Sequence, residues 1–153
     1  MKDPYSLQRF VDAQEAVFAA VTEELRAGAK RSHWMWFIFP QMAGLGRSET
    51  ARLYAIRSAA EAQAYVRHPI LGPRLTECTR LVLDVHKAQP QRSAHDIFGE
   101  PDDMKFHSSM TLFAQVAPEQ PEFAAALALY FNDRPDRATL SLLVEKDGLH
   151  PGA

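Results

Sequence analysis

The sequence predicts an all-α (mainly α) fold, a compact single-domain bundle of about seven short helices with one aromatic-rich extended loop. Three observations carry that expectation. Capping residues recur ahead of apolar residues spaced three or four apart, the pattern of helices that bury one face. Proline and glycine fall between those runs or in their first turns. Only Met35 to Phe39 reads as extended, because it is an aromatic run and the residue before Pro40 is disfavoured in helix. One such segment cannot build a sheet.

A short turn from Ser6 to Phe10 is expected first. Asp12 and Glu15 then have capping-box spacing for a helix with Val17, Phe18, Val21 and Leu25 on one face, stopped by Gly28. Ser48 can cap a second helix carrying Leu53, Tyr54 and Ile56, and Ser58 with Glu61 boxes a third that ends before Pro69. Pro73 suits the first turn of the next, where Leu75, Cys78, Val82 and Val85 form the buried face. Ser93 and Asp96 start a short helical turn closed by Gly99. Asp102 is expected to cap a helix from Asp103 to about Val116 that presents Met110, Leu112 and Phe113. Pro121 opens an alanine-rich helix through Phe123, Leu127 and Tyr130 with Asn132 as its stop, and Asp136 caps the last, through Leu140, Leu143 and Val144. Val21, Leu75, Val82 and Leu127 should be core. We read residues 1–153 as a single domain whose ordered core runs from about 5 to 147.

With 153 residues, 46% of them apolar and 24% charged, the chain can fold without a metal or disulfide staple. Its lone cysteine, Cys78, sits in an apolar helical pattern and reads as a buried structural thiol, which fits a reducing, cytoplasmic setting. Met1 to Tyr5 lack the apolar core of a signal peptide. The densest apolar stretch, Trp34 to Phe39, is far shorter than the ~20 residues that cross a bilayer, so no membrane association is expected. A net charge of −2 argues against general nucleic-acid binding, yet the charge is uneven. Residues 30–57 carry a net +4 and residues 95–136 a net −6, which could draw a small anion to one face or a basic partner to the other.

Three segments could carry chemistry. Lys30 to Gln41 places both tryptophans, Trp34 and Trp36, beside His33 and two cations. A tryptophan either anchors a core or forms a stacking wall for a planar ligand. Because residues two apart in an extended segment point to opposite faces, one tryptophan should be core and the other should face a cleft. Gln41 to Ser48 is a glycine loop leading into a helix start, where backbone N–H groups, the helix dipole and Arg47 could hold phosphate. Gly44 and Gly46 lack the third glycine of a dinucleotide fingerprint and the Lys-Ser/Thr pair of a P-loop, so neither of those families is supported. In the third segment, Phe98 to Phe113, Lys105 and Ser109 lie four apart on one helical face, with Ser108 and Thr111 nearby. That polar stripe either lines a pocket or faces solvent. His33 and His107 have no acid at metal-ligand spacing, so no metal site is expected.

At these segments the chain resembles a bacterial family of unknown function, domain-of-unknown-function family 1810, which sometimes carries the label calpastatin-like. The matching stretches include Arg9 to Gln14, Glu24 to Gly28, Lys30 to Trp36, Phe39-Pro40-Gln41, Gly44-Leu45-Gly46, Leu71 to Leu75, Ile97-Phe98-Gly99, Asp102 with Lys105, and Ser108 to Phe113. The resemblance implies a mostly helical domain and brings no established activity. The calpastatin label implies a protease inhibitor, but calpastatin inhibits through disordered segments, whereas the caps and apolar faces here belong to a folded domain. Asn132-Asp133 stands where glycine is common in that family. A looser similarity, through Glu61-Ala62 and Leu71-Gly72, is to the NADAR group of ADP-ribose-related N-glycosidases; it matches no catalytic residue of that group.

The expected function is therefore a helical domain binding, or binding and processing, a small nucleotide or ADP-ribose-like anion without a cofactor. The expected ligand-binding residues are Arg31, His33, Trp34, Trp36, Gln41, Gly44, Gly46, Arg47, Ser48, Lys105 and Ser108. His33 and Asp102 are the candidates for acid or base. The alternative is a non-catalytic protein-interaction module that uses the aromatic segment or the acidic half as its patch.

Overall fold

A computed structural model describes residues 2–147 of the chain. Among the described residues there are ten helices: α1 (Gln8–Glu15), α2 (Phe18–Ala27), α3 (Met35–Ile38), α4 (Glu49–Leu53), α5 (Ala59–Arg67), α6 (Leu71–Ala88), α7 (Ala94–Phe98), α8 (Asp102–Val116), α9 (Pro121–Phe131) and α10 (Arg137–Asp147). The mainly helical class expected from the caps holds. Helix α7 is the short helical turn expected between Ser93 and Gly99, while α1 and α3 go beyond the expected helices. Extended pairing among the described residues is limited to one isolated parallel bridge between Met42 and Ile56, so Ile56 lies past the end of α4.

Most caps are where the residue types place them. Ser48 accepts from Ala51 N, Ser58 from Glu61 N, and Ser93 with Asp96 forms a complete capping box. Gly28 and Asn132 end α2 and α9 in the left-handed conformation, and Asp136 accepts from Thr139 N at the start of α10.

Three expectations fail for local reasons. Asp12 does not cap a helix; it lies inside α1, whose first amides are met by Asp3, accepting from Leu7 N at 2.8 Å and Gln8 N at 2.9 Å. Met35 to Ile38 is a helical turn rather than an extended loop, because the restriction before Pro40 falls on Phe39 alone, at φ −123° and ψ 74°. Asp102 is the first residue of α8, after Pro101, and its carboxylate binds two lysines instead of capping.

The core forms around α8 and α6. Helix α8 is buried on nearly every side, by Phe106, Ser108, Ser109, Met110, Thr111, Leu112 and Phe113, and packs against α3, α5, α7, α9 and α10. Helix α6 packs against α2, α5 and α9 through Leu75, Cys78, Val82 and Val85. Val21, Leu75, Val82 and Leu127 are all buried. Cys78 is buried too, and burial pushes its thiol up to about 12, which removes it as a nucleophile near neutral pH. Leu75→Ala should cost about 2–5 kcal/mol through lost burial and a residual cavity. A denaturant titration would read this as a lower midpoint at unchanged slope. No helix of the described residues is long and apolar enough to cross a membrane.

Candidate functional site

The Lys30–Trp34 stretch has no regular structure of its own, and a single carboxylate organises it. Glu24 on α2 accepts from Arg31 N (2.7 Å), Ser32 N (3.0 Å), the Ser32 hydroxyl (2.6 Å) and the Trp34 indole Nε1 (3.0 Å). Partial burial works against its charge, but these four donors outweigh it and pull the carboxyl down to about 2. Trp34 is thereby fixed in the core, 1% exposed, with its one polar atom satisfied.

A second carboxylate ties this stretch to α8. Asp102 Oδ2 is 2.8 Å from Lys30 Nζ and its Oδ1 is 3.4 Å from Lys105 Nζ. Each lysine sits over a tryptophan, Lys30 at 5.1 Å from the Trp34 ring centroid and Lys105 at 5.0 Å from that of Trp36. Asp102 is thus engaged by two cations and positions both lysines.

Trp36, unlike Trp34, is only half-buried, and it lines a cavity of about 240 Å³. The division of roles expected for the two tryptophans is therefore observed, on a helical turn instead of a strand. The other walls of the cavity are Gln41 to Gly44, Gly46, Ala51, Arg52, Tyr54, Ala55 and Arg57, and no carboxylate is among them. Tyr54 is held by Phe37, at a centroid distance of 5.3 Å, and by Phe10, at 5.7 Å. The bridge to Ile56 sets the loop floor, with Ile56 N donating to Gln41 O (2.9 Å) and Ala43 N to Ile56 O (2.8 Å). The Arg52 and Arg57 guanidiniums are exposed and make no hydrogen bond or ion pair among the described residues.

The structure brings together Trp36, Gln41, Gly44 and Gly46, with Lys105 reaching the Trp36 ring. Other expected residues fall elsewhere. Arg31, His33 and Arg47 are exposed and do not line the cavity. Trp34 is core, and the Ser48 hydroxyl is consumed as the α4 cap. Ser108 donates to Met104 O and to Asp136, tying α8 to the start of α10. The two glycines serve packing as well as the cavity. A Cβ at Gly46 would lie 2.5 Å from Ala51 Cβ, and one at Gly44, where φ is +106°, would lie 3.2 Å from the Leu142 side chain of α10.

Arg52, Arg57 and Tyr54 were missed as site residues, although the +4 excess over residues 30–57 includes both arginines. No group of three or more His, Cys, Asp or Glu side chains able to hold a metal occurs among the described residues.

A comparison with curated proteins finds no relative. Among solved structures, the chain is similar to the conserved hypothetical protein Rv1873 from Mycobacterium tuberculosis, with 55% identity and a TM-score of 0.87 over 93% of this chain and 99% of that one. The family model described as "Protein of unknown function (DUF1810)" matches residues 4–143, and with that span covered the chain belongs to the DUF1810 family.

Proposed function

We propose that the cavity beside Trp36 binds a small planar anion of mononucleotide size. The observation that supports this reading is that Arg52 and Arg57, whose guanidiniums have no partner among the described residues, line a cavity that also contains a half-buried tryptophan and no acid of the described residues. The guanidiniums suit phosphate or carboxylate oxygens, and the Trp36 ring suits a base. The carboxamide of Gln41, without a partner among the described residues, adds a donor and an acceptor for a base edge. A volume of about 240 Å³ suits a nucleobase with its nearest phosphate and is too small for a whole dinucleotide.

This moves the anion from the loop backbone and Arg47 to Arg52 and Arg57. It stops at binding, because the candidate acid-base groups His33 and Asp102 lie outside the cavity wall. A protein-interaction role through the aromatic segment draws no support, since Trp34, Met35, Ile38 and Phe39 are buried.

Calorimetric titration with AMP, ADP-ribose, NAD and inorganic phosphate tests the reading. AMP should bind, and Arg52→Ala or Arg57→Ala should weaken it by roughly 1.5–3 kcal/mol, the scale of a charged hydrogen bond. Trp36→Ala should weaken the nucleotides by about 1–3 kcal/mol and leave phosphate unchanged. Silence from all four compounds at millimolar concentration would end the proposal.

A further inference from the structure

A second concavity, of about 670 Å³, lies where α8 meets the start of α10 and is lined by His107, Arg134, Pro135, Arg137, Leu140 and Ser141. We infer that it is a separate binding site for a phosphate monoester, gripped by Arg134 and Arg137.

The turn that carries Arg134 is built with unusual firmness. Asn132 and Asp133 are consecutive non-glycine residues in the left-handed region, at φ 53° and 59°, a conformation that costs free energy at each. Three side chains of α8 hold the turn in place. His107 Nε2 lies 2.7 Å from Arg134 O, and since a carbonyl only accepts, that nitrogen carries the proton. The same ring stacks on Phe131 at 4.1 Å and 11°. Thr111 Oγ1 accepts from Asp136 N at 2.8 Å, and Ser108 Oγ donates to Asp136 Oδ2 at 3.0 Å.

The cations here form no ion pair among the described residues. Asp136, the nearest acid in sequence, accepts from Ser108 and from both Thr139 N and Thr139 Oγ1, and forms no ion pair among the described residues. Asp133 forms none either, and no carboxylate of the described residues lines the concavity. The guanidiniums of Arg134 and Arg137 and the hydroxyl of Ser141 have no partner among the described residues. They stand at the positive end of α10, an 11-residue helix.

Two guanidiniums and a hydroxyl offer more donors than the two oxygens of a carboxylate can use, and they match the three terminal oxygens of a phosphate monoester. The volume exceeds that of a bare phosphate. Pro135, Leu140 and the His107 ring supply an apolar wall for the organic substituent.

The test is a titration of the full chain with phenyl phosphate, followed by amide chemical shifts, with sodium chloride at matched ionic strength as the control. Phenyl phosphate is a planar anion that also suits the Trp36 cavity, so saturable shifts are expected at residues 134–141 as a set separate from those at residues 36–57. Arg137→Ala and Ser141→Asp should each weaken binding at least tenfold with an unchanged circular-dichroism spectrum, and Arg52→Ala should leave it intact. Shifts reproduced by chloride, shifts confined to residues 36–57, or affinity unchanged in Ser141→Asp would overturn the proposal. Because the two cavities share no residue, failure here and failure of the Trp36 site are read separately.

Discussion

Arg9→Ala should be the most damaging single substitution outside the apolar core, lowering stability by about 3–5 kcal/mol in a denaturant titration. All three guanidinium nitrogens of Arg9 are engaged. Nε donates to Leu53 O (2.8 Å), one terminal nitrogen to Tyr5 O (2.6 Å) and Ser6 O (2.9 Å), and the other to Ala55 O (3.0 Å) and Glu61 Oε2 (2.8 Å). The Glu61 side chain is 4% exposed, so removing the guanidinium strands a buried carboxylate whose remaining partners include Arg57 N. Arg9→Lys should not rescue, since a point-like ammonium with three donors cannot span five acceptors. The Arg9→Ala, Glu61→Ala double variant should lose less than the sum of the two singles, because the second change removes the stranded charge. Strict additivity would mean that Arg9 acts through its carbonyl contacts alone.

Glu24→Ala should cost roughly 3 kcal/mol, by stripping the partner from the buried Trp34 N–H and from the backbone of Arg31 and Ser32. Glu24→Gln separates charge from geometry. Its amide oxygen can keep the three bonds of Oε1 and its NH₂ can donate to the Ser32 hydroxyl, so it should lose only the charge contribution. The pH dependence has a definite sign. The folded carboxyl is held down at about 2 against an ordinary 4.5, so its stabilising contribution is complete above pH 4.5 and is lost as pH falls toward 2. The stability gap between the natural chain and Glu24→Gln should therefore be constant near neutrality and close across that acid window. A gap that persists unchanged at pH 2 would contradict this account.

What could be read from the sequence divides along physical lines. Caps are local chemistry, a hydroxyl or carboxylate two or three residues from the amide it accepts from, and Ser48, Ser58, Ser93 and Asp136 were legible for that reason. Asp12 misled because its spacing to Glu15 is right, while the true acceptor, Asp3, reaches forward from before the helix. Met35 to Ile38 misled because a restriction on one residue was extended to a whole run. Asn132 and Asp133 both take left-handed backbone at their turn, the conformation glycine adopts most readily.

The site was legible through its aromatic member, because Trp36 and Gln41 stand in a conspicuous segment. Arg52 and Arg57 were not singled out, since nothing within a helix turn distinguishes a cation facing a cavity from one facing water. That distinction depends on the Met42–Ile56 bridge, which folds the glycine loop back over the end of α4.

The close approach of Gly46 to Ala51 also gives this corner a history that runs more easily in one direction. Its backbone angle leaves Gly46 free to be any residue, and the bar is the 2.5 Å between its would-be Cβ and that of Ala51. A lineage that gains a side chain at position 46 first meets a collision between two short, rigid methyls. One that first exchanges Ala51 for glycine loses only about 1 kcal/mol of helix propensity in a five-residue helix. Descendants should therefore reach larger residues at 46 by way of glycine at 51, and because Ala51 also lines the cavity, each such passage would change the room available beside Trp36.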